Sequence, residues 1–229
     1  MFTIKLADVV IGIDNRYSFV ERLCRGYVCE SDDVAFAVSV TDAEIAKEQS
    51  LGDFPEGYCE SICIYRKICE RITAHGVFLM HASIIEADGY AYAFSAPSGT
   101  GKSTHAAFWR SVLGAQIIND DKPAVRRIKG EFCACGTPFS GKTAQSRAVC
   151  VPFGAVVFVT RGETVAVRRL STDEALYALL SQTLRPTTAS SYTQLLDLVS
   201  SFLDTVPVYE ASVTLDPSCA QQVKEAIGL

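Results

Sequence analysis

The stretch SAPSGTGKST, residues 95–104, decides how the rest of this chain is interpreted. It comes close to the phosphate-binding loop G-x-x-x-x-G-K-[ST], except that Ala96 stands where the pattern has its first glycine. Such a loop turns backbone N–H groups inward, places a lysine on the terminal phosphates and offers a hydroxyl to Mg²⁺. Lys102 and Ser103 supply the last two groups, so the stretch predicts a nucleotide site.

The flanking sequence has the order that such a loop requires. YAYAFSA before it has the composition of a strand, and KSTHAAFWRSVLG after it has helix-forming residues and a terminal glycine. If the backbone at Ala96 is ordinary, alanine is tolerated there, because the glycines nearer the phosphates matter more. The alternative is a Ser/Gly turn with a solvated lysine. The predicted nucleotide-binding residues are Ala96, Pro97, Ser98, Gly99, Thr100, Gly101, Lys102, Ser103 and Thr104.

Composition restricts the remaining function classes. The 229 residues are 48% apolar, enough for a sizeable core, and the net charge of −5 without a lysine/arginine stripe argues against nucleic-acid partners. No apolar run is long enough to span a bilayer and the first residues do not resemble a signal peptide, so we expect a cytoplasmic protein without membrane contact. Nine cysteines, an odd number, predict reduced thiols and not a disulfide framework.

The pattern of apolar residues predicts an α/β fold with a mixed sheet and several hairpins. Residues 1–50 are interpreted as a small β-rich segment and residues 51–229 as the domain that carries the phosphate loop. Hairpin turns are predicted at Asp88-Gly89 and Lys129-Gly130, and a further strand pair around residues 161–163. VFLMHASIIEA, residues 77–87, is predicted as one continuous strand with His81 in its middle.

Two adjacent carboxylates, Asp120 and Asp121, follow the apolar strand QII. At a strand end they would lie beside the phosphate loop, where one could bind Mg²⁺ and the other take a proton. The alternative is a solvated acidic turn. His81 in isolation is more often packed and hydrogen-bonded than catalytic.

Together these motifs resemble the HPr kinase/phosphorylase family and its wider relatives, which include the phosphoenolpyruvate carboxykinases. The resemblance covers roughly residues 55–229 and rests on MHASIIEADGYAYAFSAPSGTGKST, IINDDKPAV, GTPFSGK and VPVYEASV. It implies the sheet and phosphate loop of the HPr kinase C-terminal domain, with ATP and Mg²⁺ as cofactors. Lys102 and Ser103 would hold nucleotide and metal, Asp120 would be the base, Asp121 a metal ligand, and His81 would assist the transferring phosphate.

Two departures from that family concern the acceptor. The chain lacks the family's Glu-Ile-Arg-Gly run, and its N-terminal part is far shorter than the regulatory domain of the true enzyme. We therefore do not expect HPr to be the acceptor. We expect the acceptor to be a hydroxyl on a peptide, another protein or a small molecule. Whether the chain forms a homo-oligomer stays open.

The function predicted from these residues is an ATP-dependent kinase acting on a hydroxyl group. The alternatives are a non-catalytic, regulatory ATP-binding module and an enzyme similar to phosphoenolpyruvate carboxykinase, whereas a GTPase switch lacks its NKxD motif. Lys142, in the glycine- and hydroxyl-rich stretch GTPFSGKTAQSR, is predicted to close on the γ-phosphate or on the acceptor. The alternative for Lys142 is an ordinary solvated lysine.

Overall fold

The computed structural model describes residues 1–97, 100–141 and 143–228, and over them it has the mixed α/β fold that the sequence predicts. The strands are β1 (Phe2–Leu6), β2 (Val9–Asp14), β3 (Phe36–Ser39), β4 (Val77–Leu79), β5 (Ser83–Ala87), β6 (Tyr90–Ser95), β7 (Gln116–Asn119), β8 (Ala124–Ile128), β9 (Glu131–Cys135), β10 (Cys150–Arg161), β11 (Ala166–Arg169) and β12 (Val208–Val213). The helices are α1 (Ser18–Cys24), α2 (Asp42–Gln49), α3 (Glu56–Ile72), α4 (Lys102–Leu113), α5 (Thr172–Ser181), α6 (Ala189–Leu203) and α7 (Cys219–Ala226). None of the helices in the described residues combines the length and the apolar character needed to cross a membrane.

The larger sheet has the strand order β4-β8-β9-β10-β6-β5-β7, with β12 on β10 and β11 on β12. β10 pairs in parallel with both β6 and β12, whereas β5 and β7 extend the sheet in antiparallel fashion. Parallel neighbours end at the same edge, and in open α/β sheets that carboxyl edge is where ligands bind. The connections after β6, β10 and β12 therefore meet at one edge.

Side chains of the larger sheet alternate between two apolar layers. Ala93 of β6 lies in the layer covered by α5 and α6, and its neighbour Phe94 lies in the layer covered by α4 and α7. Trp109 of α4 is fully buried against Phe94, with ring centroids 5.3 Å apart. Burial on both faces explains why β6 has an almost continuous apolar sequence.

A glycine lets β10 pass its neighbour closely. The register between β10 and β6 shifts at Gly154, between Phe153 and Ala155. A Cβ atom at Gly154 would lie 2.4 Å from the Tyr92 ring, closer than real Cβ contacts. Only glycine fits here without moving an aromatic side chain that is itself buried.

The N-terminal residues form a separate three-stranded sheet in the order β1-β2-β3. Its apolar side chains belong to a cluster that continues across residue 50 into α3 and onto β4, β8 and β9. The fully buried carboxylate of Glu60 in α3 accepts backbone N–H groups from Arg16, at 2.6 Å, and Tyr17, at 2.9 Å. Buried charge and apolar contacts thus attach α3 to the first segment.

Two of the predicted turns are confirmed. Asp88 and Gly89, with φ of 52° and 82°, join the antiparallel strands β5 and β6. Lys129 and Gly130, with φ of 50° and 94°, join β8 and β9 in the same way. Two consecutive positive φ values are the geometry of a tight hairpin turn that matches the twist of its strands.

Two strand predictions are wrong. β10 and β11 do not form a hairpin, because β12 lies between them, parallel to β10 and antiparallel to β11. The predicted strand over residues 77–87 is divided into β4 and β5 at residues 80–82. There Met80 forms a bridge with Thr183, and the N–H of His81 donates to the Gln182 carbonyl at 2.6 Å. Both errors come from pairing with distant segments, which local sequence does not reveal.

The expectation that all cysteines are reduced thiols is also wrong for one pair. Cys135 and Cys150 form a disulfide, since the antiparallel register of β9 and β10 puts them opposite each other with Cα atoms 4.1 Å apart. The bond closes the segment between β9 and β10. The other cysteines are free thiols and most of them are buried, which agrees with a role in apolar packing.

His105 of α4 is a core residue. It is 1% exposed, its Nε2 accepts the indole N–H of Trp109 at 3.1 Å, and its ring meets Phe94 edge-on. Burial lowers the pKa of His105 from 6.5 to about 4. The ring therefore stays neutral in the folded protein at neutral pH.

We expect acid to destabilise the fold through His105. Below pH 6.5 His105 binds a proton in the unfolded chain, whereas in the folded chain it stays neutral down to about pH 4. The free energy of unfolding should therefore fall by about 2 kcal/mol between pH 7.5 and pH 5 from this group. His105→Gln keeps an acceptor for Trp109 without titrating. Urea unfolding at several pH values should show the stability gap between wild type and variant narrowing as pH falls, and a constant gap would contradict this assignment.

Candidate active site

A cleft of about 680 Å³ opens beside the carboxyl ends of β6 and β10. Its described lining comes from the predicted phosphate loop and the start of α4, from the turn after β7 and from the segment between β9 and β10. The junction of β4 and β5, the end of β10 and the first turn of α3 complete it. The lining residues are Tyr58, His81, Pro97, Gly101, Lys102, Ser103, Thr104, Asp120, Asp121, Lys122, Ser140, Gly141, Thr143 and Arg161. The sequence motifs thus converge on one cavity.

Lys102 is the first residue of α4 and lies largely buried, with 8% of its surface exposed. The residue before it, Gly101, has φ of 120°, a conformation that side-chain-bearing residues rarely adopt. The Lys102 Nζ is 2.7 Å from His81 Nε2 and 3.8 Å from Asp121 Oδ1. Burial lowers the pKa of Lys102, and the neighbouring Asp121 carboxylate opposes that shift.

Asp121 is the carboxylate on which the cations of the cleft converge. Its oxygens contact His81 Nε2 at 2.9 Å and the Lys122 ammonium more closely. Burial alone would raise the pKa of Asp121, but hydrogen bonds from His81 and Lys122 outweigh it and hold the pKa well below its usual range. Asp121 is therefore ionised throughout the neutral range and available as an anionic ligand.

The backbone fixes His81 at the junction of β4 and β5. Besides the bond from its N–H to Gln182, its carbonyl accepts the Ser95 hydroxyl at 2.8 Å. Its Nε2 lies within hydrogen-bond distance of both Lys102 and Asp121. A protonated Nε2 donates to Asp121, and an unprotonated Nε2 accepts from the Lys102 ammonium. The ring can thus exchange partners without moving.

Asp120 faces a different part of the cleft. It is 7% exposed, and its Oδ1 accepts the N–H of Gly141 at 2.7 Å while its Oδ2 accepts the Thr143 hydroxyl. Its own N–H donates to the Gln145 carbonyl at 3.1 Å. Each carboxylate oxygen retains one lone pair, so Asp120 is oriented but can still accept a proton.

Asn119 organises the aspartate pair, and the sequence reasoning did not find it. Its fully buried Oδ1 accepts the N–H groups of Asp121, at 2.9 Å, and Lys122, at 2.7 Å. Its Nδ2 donates to the Thr137 carbonyl at 3.0 Å. Asparagine before a turn commonly bonds the backbone two residues on, so the run NDDKP contained the signal.

Other contributors were missed because they are distant in sequence. Thr143 and Gly141 hold Asp120, and Arg161 at the end of β10 donates its Nε–H to the Thr100 carbonyl at 3.0 Å. Among the described lining residues, Lys102, Lys122 and Arg161 face two carboxylates. The cleft therefore has an excess of positive charge that suits a polyanion.

The predicted phosphate-loop residues have different positions. Gly101, Lys102, Ser103, Thr104 and Pro97 line the cleft, and the Thr100 N–H donates to the Pro97 carbonyl at 3.2 Å. Ala96 is buried directly after β6, and its φ is not positive, so alanine meets no backbone conflict there. Ser98, Gly99 and Lys142 lie outside the described residues.

A metal ion would have few protein ligands here. Within the described ranges, no group of three or more His, Cys, Asp or Glu side chains is arranged to hold a metal ion. Asp121 and Ser103 nevertheless line the same cleft. Mg²⁺ commonly takes one or two protein oxygens and completes its shell with water and substrate phosphates. This donor set therefore fits a phosphate-bound Mg²⁺ better than a resident metal centre.

Comparison with known proteins finds likeness to solved structures. No known protein family matches the chain. No curated protein matches it either. A solved structure described as the HPr(Ser) kinase/phosphatase from Coxiella burnetii resembles it with a TM-score of 0.31 and 11% sequence identity, covering 55% of this chain and 88% of that chain. This degree of likeness does not establish family membership.

Proposed function

We propose that this protein is a Mg²⁺-dependent kinase that transfers the γ-phosphoryl group of ATP to a hydroxyl, on a phosphate-loop fold of the HPr kinase and phosphoenolpyruvate carboxykinase type. The observation that carries the proposal is the grouping of a buried lysine, a histidine and two differently held aspartates in one cleft. Lys102 contacts His81 and approaches Asp121, while Asp120 is bound separately through Gly141 and Thr143.

In this proposal, the start of α4 and Lys102 bind the phosphates. The N-terminus of a helix offers free N–H groups and the positive end of its dipole to an anion. Lys102 would exchange its contact with His81 for an oxygen of the terminal phosphates. The partial burial of its ammonium strengthens that contact, because the surrounding dielectric is lower than water.

Ser103 and Asp121 are the proposed holders of Mg²⁺. When bound, the ion would neutralise charge on the phosphates during transfer. Asp121 would give up part of its contact with Lys122 and His81, and the Lys122 ammonium would then face the phosphates. His81 would stabilise the charge of the transferring group.

Asp120 is the proposed base. It would accept the proton of the acceptor hydroxyl as that oxygen bonds to the γ-phosphorus and the bond to the β-phosphate oxygen breaks, releasing ADP. Gly141 and Thr143 keep its carboxylate oriented. A regulatory module that only binds ATP needs no second, separately oriented carboxylate, and this favours the kinase over that alternative.

The nucleotide site predicts a loss of affinity in Lys102→Ala. Removing a charge-assisted contact to the terminal phosphates should weaken Mg-ATP binding by about tenfold to a hundredfold. Isothermal calorimetry measures it, with Lys67→Ala as the control, because Lys67 bonds Ser39 and Glu44 outside the cleft. Equal affinity in wild type and Lys102→Ala, or no binding to wild type, would refute the site.

Substitutions of Asp120 and Asp121 should have different effects on nucleotide affinity and turnover. Asp120→Asn retains an oxygen for the Gly141 N–H, so Mg-ATP affinity should survive while turnover falls by about a hundredfold or more. Asp121→Asn should lower both affinity and turnover, since it loses a metal ligand. The readouts are ADP release with water as acceptor and transfer to hydroxyl compounds and peptides from a screen. Turnover by Asp120→Asn at the wild-type rate would exclude Asp120 as the base.

A further inference from the structure

A second, smaller cavity of about 180 Å³ adjoins the cleft on the far side of α4's first turn. It shares Gly101, Thr104 and Arg161 with the cleft but contains none of His81, Asp120 or Asp121. Its volume equals roughly that of six liquid water molecules, room for one planar ring system but not for a whole nucleotide.

The chemistry of the cleft fixes the direction in which a nucleotide would lie. Lys102 meets His81 and Asp121 at one end, and in a phosphate loop the lysine reaches the β- and γ-phosphates. The α-phosphate would then lie farther along the first turn of the helix, beside Thr104. From there the nucleoside continues away from the aspartates, and the smaller cavity is on that path.

The sheet explains why this cavity exists. One wall is formed by the end of β10, through Arg161, and by the connection after β12, through Thr214 and Leu215. Helix α4 forms the other wall through Phe108. Because β6, β10 and β12 are parallel, these connections lie at the same edge as the phosphate loop.

The walls of this cavity suit an aromatic base but offer few groups that could distinguish one base from another. Phe108, Val213 and Leu215 supply apolar surface, and Arg161 supplies a guanidinium. Among the described lining residues there is no Asp, Asn, Glu or Gln. His105 also borders the cavity, but its ring nitrogens already contact Trp109 and Cys219. Apart from Arg161, the polar lining side chains that remain are Thr100, Thr104 and Thr214. A base held mainly by apolar contact is poorly distinguished from another of similar shape.

We propose that this cavity binds the purine base of the nucleotide, between Phe108 and Leu215, and accepts adenine and guanine almost equally. The inference rests on the proposed kinase function and adds to it the base site and its low selectivity. It places base recognition on residues outside the phosphate-loop motif.

A third cavity, of about 300 Å³, is the competing location. It lies under the other side of the phosphate loop, next to Ala96 and Pro97, and includes Tyr177. Its guanidinium, Arg168, is already paired with Glu174 and Glu210. With one guanidinium against the carboxylates of Glu174 and Glu210, the lining has a net negative charge, which disfavours a ligand that carries phosphates.

The test compares Mg-ATP, Mg-GTP and Mg-tripolyphosphate by calorimetry in wild type, Phe108→Ala, Leu215→Ala and Tyr177→Ala. Leu215 is 78% exposed and Tyr177 is 81% exposed, so neither truncation threatens folding. We expect wild type to bind ATP and GTP within about fivefold of each other. Phe108→Ala should weaken both by about tenfold and Leu215→Ala by about threefold, with tripolyphosphate unchanged and Tyr177→Ala without effect.

Each other outcome overturns the inference in a recognisable way. Unchanged ATP affinity in both Phe108→Ala and Leu215→Ala, or weakening by Tyr177→Ala, would exclude this cavity as the base site while the phosphate site stands. A strong preference of the wild type for ATP or for GTP would contradict the proposed low selectivity for the base. A wild type that binds neither ATP nor tripolyphosphate would overturn the proposed function together with the base site.

Discussion

The parallel pairing of β10 with β6 and with β12 is the constraint on which the site depends. It aligns the ends of three strands, so that the phosphate loop, Arg161 and the connection after β12 share one edge. The pairing itself requires Gly154, because any side chain there would collide with Tyr92. Packing inside the sheet and chemistry at its edge are therefore linked through one strand.

Charge balance gives the cleft its character. Asp121 is held by His81, Lys102 and Lys122, so that two ammonium groups and an imidazole surround one carboxylate. In the proposed function, an incoming polyphosphate would pair with the Lys102 and Lys122 ammonium groups, and Asp121 would bind a metal ion in their place. Asp120 is not part of this exchange, since its partners come from the segment between β9 and β10. The two neighbouring aspartates thus belong to different hydrogen-bond networks.

Local signals in the sequence were enough for some of this structure. The turns at Asp88-Gly89 and Lys129-Gly130 and the order of strand, loop and helix around Lys102 follow from short-range backbone preferences. The insertion of β12 between β10 and β11 does not, because the pairing of strands far apart in sequence, such as Val156 with Val208, is decided by packing of the whole sheet. The break in the strand at His81 has the same origin.

The same division holds for the site. Lys102, Ser103 and the aspartate pair carry recognisable motifs, and the structure brings them to one cleft. Gly141, Thr143 and Arg161 have no motif, because their roles arise only when distant segments meet. Asn119 is intermediate: its tendency to form a turn is visible in the sequence, but its buried bonds to Lys122 and Thr137 are not.

A crystal structure with Mg²⁺ and a non-hydrolysable ATP analogue tests the central claim most directly. The account predicts that Lys102 Nζ leaves His81 for an oxygen of the terminal phosphates, with the metal between Ser103 and Asp121 and the γ-phosphate facing Asp120. An analogue bound elsewhere, with the Lys102 contacts to His81 and Asp121 intact, would contradict it.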